Sequence, residues 1–429
     1  MHSIDIDLSI DHFSKIEGHG ALDLKVRNNK VEYVNFKITE NKRFYTTAIE
    51  GKSYMAGPAL MSRICGTCSI AHLLCCIEAI ENALEFEPSE QVKILRKLTM
   101  YGLMIRDHAL HLYFFSLPDV LNKDSVLDLD ENNPKENELV HEAFEVKASG
   151  NNLSKLIAGK AVHAPFPMVG GYTKIPEKEK LKASLEELKH VRPKILNVIK
   201  LFADWDKTLV RETTFVAQVN HDFSFLGGHI HTTKDTCILP KDYTDHLLRT
   251  VIPYSTSTGV KFEEGNYFVG ALARLNLNKE ALHQNTSKDA KKYIDMFPSK
   301  NVYHNNLAQA IELLHCVDHA IELLEKTEFV PEKLNIPKPK KSSGIGVIEA
   351  PRGTLYYRID MDDTGTITGA DIIVPTQQNQ INIENDIKTF VEGNLELEKG
   401  QIALEIEKII RAYDPCMSCA THFLKINWL

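Results

Sequence analysis

The sequence predicts a mainly α-helical protein with a helix-bundle core, peripheral β-hairpins and a small β region at the N-terminus. Three observations carry this. Apolar residues recur every three to four positions over long central stretches, and strict alternation is confined to segments near the two ends. The 43% apolar content of a 429-residue chain can also supply a substantial core.

Taking the elements in order, residues 1–40 alternate apolar and polar side chains in LDLKV and VEYVNFKI, with RNNK as the turn of a β-hairpin. Helical spacing follows from Ser69 to Glu85 and from Glu90 to about Leu117, separated by Pro88 and Ser89. A third helix is expected over about 177–202, with Leu181, Leu185, Leu188, Ile195 and Ile199 on one side and Pro193 kinking or dividing it. Leu307, Ile311, Leu314, Ile321 and Leu324 mark a fourth over about 305–326, and PKPKKSSG after it reads as an exposed loop. The stretch from GVIEAPRG to VPT alternates like strands around a DDTG turn, with Thr376 as a strand-end residue, and Ile402 to Tyr413 form a last helix.

A net charge of -8, with basic residues scattered rather than clustered, excludes nucleic acid as the main partner. No apolar run is long enough to span a bilayer, and MHSIDIDLSIDHF lacks the basic and apolar regions of a secretory signal. The expected location is the cytoplasm, although a chain can also be exported bound to a partner that carries the signal.

Eight cysteines are too few for a disulfide scaffold in a chain of this length, and four of them form two CxxC pairs, Cys65 with Cys68 and Cys416 with Cys419. The other four, Cys75, Cys76, Cys237 and Cys316, are expected to be ordinary buried thiols. Two cysteines three positions apart can aim both sulfurs at one metal, and two such pairs suit zinc, an iron-sulfur cluster or nickel. On spacing alone a structural zinc site is the plainer reading. The separation of roughly 350 residues argues against it, because zinc ribbons close much shorter loops.

The segments RICGTC with His72, and DPCMSCATH, resemble the paired signatures of nickel-iron hydrogenase large subunits. KIEGHG at 15–20, EAPRG at 349–353 and VPTQQN at 374–379 resemble further motifs of that family, and HAPFPMVGG at 163–171 is a looser match. The similarity runs over the whole chain, 1–429, and implies one hydrogenase large-subunit domain with a β region at 1–40 and a short tail at 423–429. It implies Cys65 and Cys416 as terminal nickel ligands, Cys68 and Cys419 as bridges to iron, and carbon monoxide and cyanide on the iron. Soft thiolates suit a nickel centre that changes oxidation state. Arg352, between Pro351 and Gly353, would hang a cation over the centre, polarising dihydrogen or assisting as a base, with Asp107 and Asp414 orienting it. Pro375 and Thr376 would form part of the cyanide pocket, the hydroxyl donating. His72, one helical turn beyond Cys68, would turn back to hydrogen-bond the bridging sulfur.

The implied reaction is reversible heterolysis of dihydrogen to protons and electrons, with Glu17 as the first proton acceptor after Cys416. The chain has no further cysteine set for a cluster. It is therefore expected to work with an iron-sulfur small subunit, with further electron-transfer subunits and with maturation factors. Its length and QQNQ segment look most like the cytoplasmic, cofactor-coupled branches. A hydrogen-sensing regulator would use the same ligands and differ in partners, and the related quinone-site subunit of respiratory complex I would lack the four cysteines. Two features depart from the pattern. Thr46 stands where the family's magnesium or iron site, which also uses the residue matching His422, has a glutamate, and a hydroxyl is a poor ligand for a hard cation. Seven residues, FLKINWL, follow His422, where the family's chains are commonly cut during maturation.

Overall fold

The computed structural model describes residues 3–41, 43–263 and 265–421. Among the described residues helix accounts for 47% and strand for 20%, so the mainly helical expectation holds. The N-terminal hairpin is the larger part of a three-stranded antiparallel sheet, Ile6–Ile10, Gly20–Arg27 and Lys30–Ile38. Asn28 and Asn29 have φ of 51° and 66°, the left-handed pair that a two-residue turn of matching twist requires.

Four long helices, Glu90–Ala109, Pro134–Ala158, Lys178–Ala203 and His304–Lys326, pack side by side as the bundle. The first two approach closely because each has a glycine at the crossing. A Cβ on Gly150 would stand 2.5 Å from the backbone nitrogen of Arg106, and one on Gly102 would stand 2.5 Å from Ser154 Oγ. Pro193 does not divide its helix, which runs through it to Ala203 while packing on His304–Lys326. One lost backbone bond is offset there by a buried face that includes Leu188, Val191, Ile195 and Ile199. The helix beginning at Glu90 does not reach Leu117 in one form. At Leu110–Ser116 it widens into a π-helix, a local change often associated with function.

Helix Ser69–Ala83 is buried on almost every face and lies against the hairpin Ser342–Ala350/Gly353–Met361, whose third strand is Ile367–Ile373. Residues Ser342 to Gly344, expected in the loop, are the first of that sheet. Thr376 is not at a strand end. Pro375 is the first residue of helix Pro375–Glu392, where its fixed φ suits the helix and its missing N–H is not needed. Helix Pro134–Ala158 and the four-stranded sheet of Thr214–Val219, His229–Thr232, Cys237–Ile238 and Tyr267–Phe268 are among the parts that periodicity did not mark.

Candidate metal centre

Cys65 and Cys68 flank the entry to helix Ser69–Ala83, with Cys68 at its N-cap. Cys416 and Cys419 follow helix Lys399–Ala412, after Asp414 turns the chain with φ of 50°. All four sulfurs lie within 4.8 Å of one another and all four residues are buried. Cys65 Sγ is 3.3 Å from Cys416 Sγ, and Cys416 Sγ is 3.0 Å from Cys419 Sγ, while all four remain free thiols. Hydrogen bonds from the other three thiols hold Cys65 well below the ordinary thiol range, whereas burial pushes Cys416 and Cys419 well above it. Burial thus opposes ionisation of the second cysteine pair, and a multiply charged cation is what would let all four sulfurs ionise together.

The N-terminal segment closes the pocket. Glu17 forms a parallel bridge with Cys416, and its carbonyl accepts the Met417 N–H at 3.0 Å. Gly18 permits this approach, since its φ is +81° and a Cβ there would lie 2.9 Å from Met417 Cβ. Glu17 Oε2 accepts from the Cys416 thiol at 3.0 Å and from the Ser418 N–H at 3.1 Å. Burial, and then the charge of Cys65, raise its carboxyl above the usual range.

Arg352 sits at the tip of the hairpin whose Ala350 and Gly353 are paired, so Pro351 and Arg352 form the two-residue turn. Its guanidinium donates to Asp107 Oδ2 at 2.6 Å, Asp414 Oδ1 at 3.0 Å and Cys68 Sγ at 3.2 Å. Burial opposes its charge, but Asp107, Asp414, Cys68 and Cys416 outweigh burial and hold its pKa well above the ordinary value. Arg352 Nε and Asp107 Oδ1 are buried without a hydrogen-bond partner. Together with four convergent soft donors, these orphaned atoms fit a pocket completed by a bound metal group.

His72 Nε2 lies 3.4 Å from Cys419 Sγ, so the sulfur it meets belongs to the second cysteine pair and not to Cys68. Tyr357 OH holds the other ring nitrogen at 2.7 Å. Thr376 Oγ1 accepts the Cys416 N–H at 2.9 Å. Thr46 is on the short helix Tyr45–Ile49, partly exposed. His422 and the tail 423–429 lie outside the described residues.

Sequence reasoning missed several supports. Arg106, buried, donates to the carbonyls of Thr67 and Ala161 and so ties the first cysteine loop to the bundle. Arg274 donates to the carbonyls of Ala350 and Pro351, both at 3.0 Å, and is itself gripped by Glu312 and Glu349. Gln309 donates to Asp414 Oδ2 at 3.0 Å and is also met by His111 of the π-helix at 2.5 Å. Gln377, Gln378, Asn379 and Gln380 are all buried, and their amides reach Thr258, Thr354, Val269 and Phe36. A buried run of amides on one helix was the signal available in VPTQQNQ. Cys75, Cys76 and Cys316 are buried as expected, but Cys237 is exposed, because it lies on a short edge strand.

The chain matches the nickel-dependent hydrogenase family over residues 45–142 and 243–422. Sulfhydrogenase 2 subunit alpha of Pyrococcus furiosus is 31% identical over 98% of this chain and 100% of its own length. Sulfhydrogenase 1 subunit alpha of the same organism is 29% identical over 99% and 100%. The crystal structure of an NAD+-reducing [NiFe]-hydrogenase in the H2-reduced state aligns with a TM-score of 0.87 and 25% identity, covering 98% of this chain and 100% of that one. The two cysteine pairs fall inside the matched segments, so the chain belongs to the nickel-dependent hydrogenase family, as its large subunit, and its four buried cysteines are the ligand set of a nickel-iron centre.

Proposed function

We propose that this subunit splits dihydrogen reversibly, with Cys416 and Glu17 moving the proton, Arg352 holding a fixed positive charge beside the reacting site, and an iron-sulfur small subunit receiving the electrons. The observation that carries the reading is the 3.0 Å contact between the Cys416 thiol and Glu17 Oε2. When bound, the nickel-iron centre supplies the two-electron chemistry, with carbon monoxide and cyanide completing the iron.

The remaining tasks fall to the chain. Cys416 holds a proton at its sulfur and passes it to Glu17 Oε2, which lies at hydrogen-bond distance. The Ser418 N–H and the Met417–Glu17 backbone bond keep that oxygen in place. Asp107 and Asp414 aim Arg352, so its charge needs no reorganisation when charge develops nearby. Pro375 and Thr376 are assigned to the cyanide pocket, and His72 to supporting the Cys419 sulfur. Relatives named as hydrogenase subunits support action within an assembly, and no helix among the described residues is long and apolar enough to cross a membrane. Cytoplasmic placement belongs to the same proposal and rests on the resemblance to the cofactor-coupled branches.

Glu17→Gln tests it. The variant preserves size and hydrogen bonding but cannot carry a proton. Nickel and iron content should match the parent, while acceptor reduction and deuterium-gas exchange with water both collapse. Rapid exchange in the metal-loaded variant would show that protons leave by another path.

A further inference from the structure

Outside the buried centre, the described residues hold one other convergence of metal-ligating side chains: His229, His231 and Cys237. Side-chain alternation along strand His229–Thr232 sends Ile230 and Thr232 into the core, and His229 and His231 to the opposite, accessible face. A tight turn then reverses the chain. Thr232 Oγ1 accepts the N–H groups of Lys234 and Thr236, and Asp235 adopts φ of 61°. The returning strand pairs His231 with Cys237 and Ile230 with Ile238, which puts Cys237 on the same face as the two histidines.

The resulting spacing is that of a ligand set. Cys237 Sγ lies 3.5 Å from His231 Nε2 and 3.8 Å from His229 Nδ1, and all three donor atoms fall within 4.8 Å of one another. Zinc bonded to sulfur at about 2.3 Å and to nitrogen at about 2.05 Å, with tetrahedral angles, separates those two atoms by about 3.6 Å. Packing gives no reason for the cluster, since free cysteine is among the most buried residue types and this one is exposed. A two-residue-spaced histidine pair facing a cross-strand cysteine is instead a three-point donor set on a rigid hairpin.

We propose that His229, His231 and Cys237 bind a borderline divalent cation, zinc fitting best, with water in the fourth position. Two neutral imidazoles and one thiolate are the donor types that such ions prefer over magnesium or calcium. Binding releases the Cys237 thiol proton to solvent and forms the metal-sulfur bond, with no change of oxidation state. The site shares no residue with the nickel-iron ligand set and does not depend on the roles given to Glu17 and Arg352.

The test uses the assembled, nickel-loaded enzyme, in which the four buried cysteines are already engaged, kept anaerobic with a phosphine reductant. Equilibration with zinc chloride followed by dialysis and elemental analysis should show one zinc per chain beyond that retained by Cys237→Ser or His231→Ala. Affinity in the variants should fall by more than ~10-fold, since losing even a residue that only supports a ligand costs about that much. Cobalt(II) added instead should give a sulfur-to-cobalt charge-transfer band in the difference spectrum between parent and Cys237→Ser. Hydrogen uptake should be the same in parent and variants, which shows that the hairpin changes leave the enzyme folded. Equal zinc in parent and variants, or no cobalt band, would overturn the proposal.

Discussion

Arg274→Met removes the cation that underlies the Arg352 turn. In the structure Arg274 is buried and donates to Glu312 at 2.6 and 2.7 Å, to Glu349 at 2.9 Å, and to the carbonyls of Ala350 and Pro351. Methionine fills similar space but removes the arginine cation shared by two buried carboxylates, leaving His108 as the remaining ring nitrogen on Glu312, a change that costs about 3–5 kcal/mol. At about 2.1 cal/mol/K of unfolding entropy per residue, a 429-residue chain should lose about 3–6 °C in Tm. The loss should depend on pH, and its sign follows from the carboxyls. Burial already holds Glu349 above the usual range, while Arg274, with His108 at 2.9 Å, outweighs burial at Glu312 and holds it below. Without the arginine both folded-state values rise, so the protonated forms are favoured and stability recovers as pH falls toward the unfolded value near 4.3. Calorimetry of parent and variant at neutral pH and near pH 5.5 measures this, with Glu312→Gln and Glu349→Gln added to Arg274→Met as the charge-free control. Turnover should fall as well, since the Arg352 turn loses two anchors. A Tm within about 1 °C of the parent at both pH values, with turnover intact, would refute the reasoning.

Replacing Cys416 with serine exchanges a thiolate for a poor hydroxyl ligand, so nickel content and turnover should both be abolished; near-normal nickel by elemental analysis contradicts the ligand assignment. Arg352→Lys keeps the charge but cannot reach Asp107, Asp414 and Cys68 together. Metal content should stay intact and turnover drop at least ~10-fold, about 1.4 kcal/mol of barrier, as read by hydrogen uptake. Glu384 accepts from the Phe36 N–H and Tyr254 OH, and burial pushes its carboxyl up to about 7. Its folded value exceeds the unfolded one, so its stabilising contribution is present in acid and lost as pH rises through about 7. Glu384→Gln should therefore flatten the fall in Tm between pH 5 and 8.5, and an unchanged slope would show that Glu384 is not the titrating group.

The ligands were legible because each CxxC pair is local in sequence. Helix Pro134–Ala158 escaped because PKENELVHEAFEVKASGNNLSKLIA is too polar for an apolar stripe to stand out, although Asn133 caps it, Pro134 opens it and Gly159 ends it with φ of 89°. Those terminal signals outweigh periodicity in such a segment. The supports of the centre were not legible for a different reason. Arg274, Gln309 and Tyr357 act on residues 77, 105 and 285 positions away, on Pro351, Asp414 and His72, and no local pattern encodes such pairings. His72 was placed on the right kind of atom but assigned to the nearer cysteine pair, since sequence proximity is a poor guide once the chain's two ends meet.

That meeting of the ends has a thermodynamic side. Cys65 and Cys416 are 351 positions apart, so an ion held by both is a cross-link around most of the polypeptide. In the chain-entropy account, closing a loop of this length removes freedom from the unfolded ensemble worth about 6 kcal/mol, as a long-range disulfide does. The nickel-iron centre would in this sense act as a staple between the two ends of the chain. Resistance to heat and denaturant then rests on the same four sulfurs that serve the chemistry, and a protein that never acquires its metals is left both inactive and topologically unfastened.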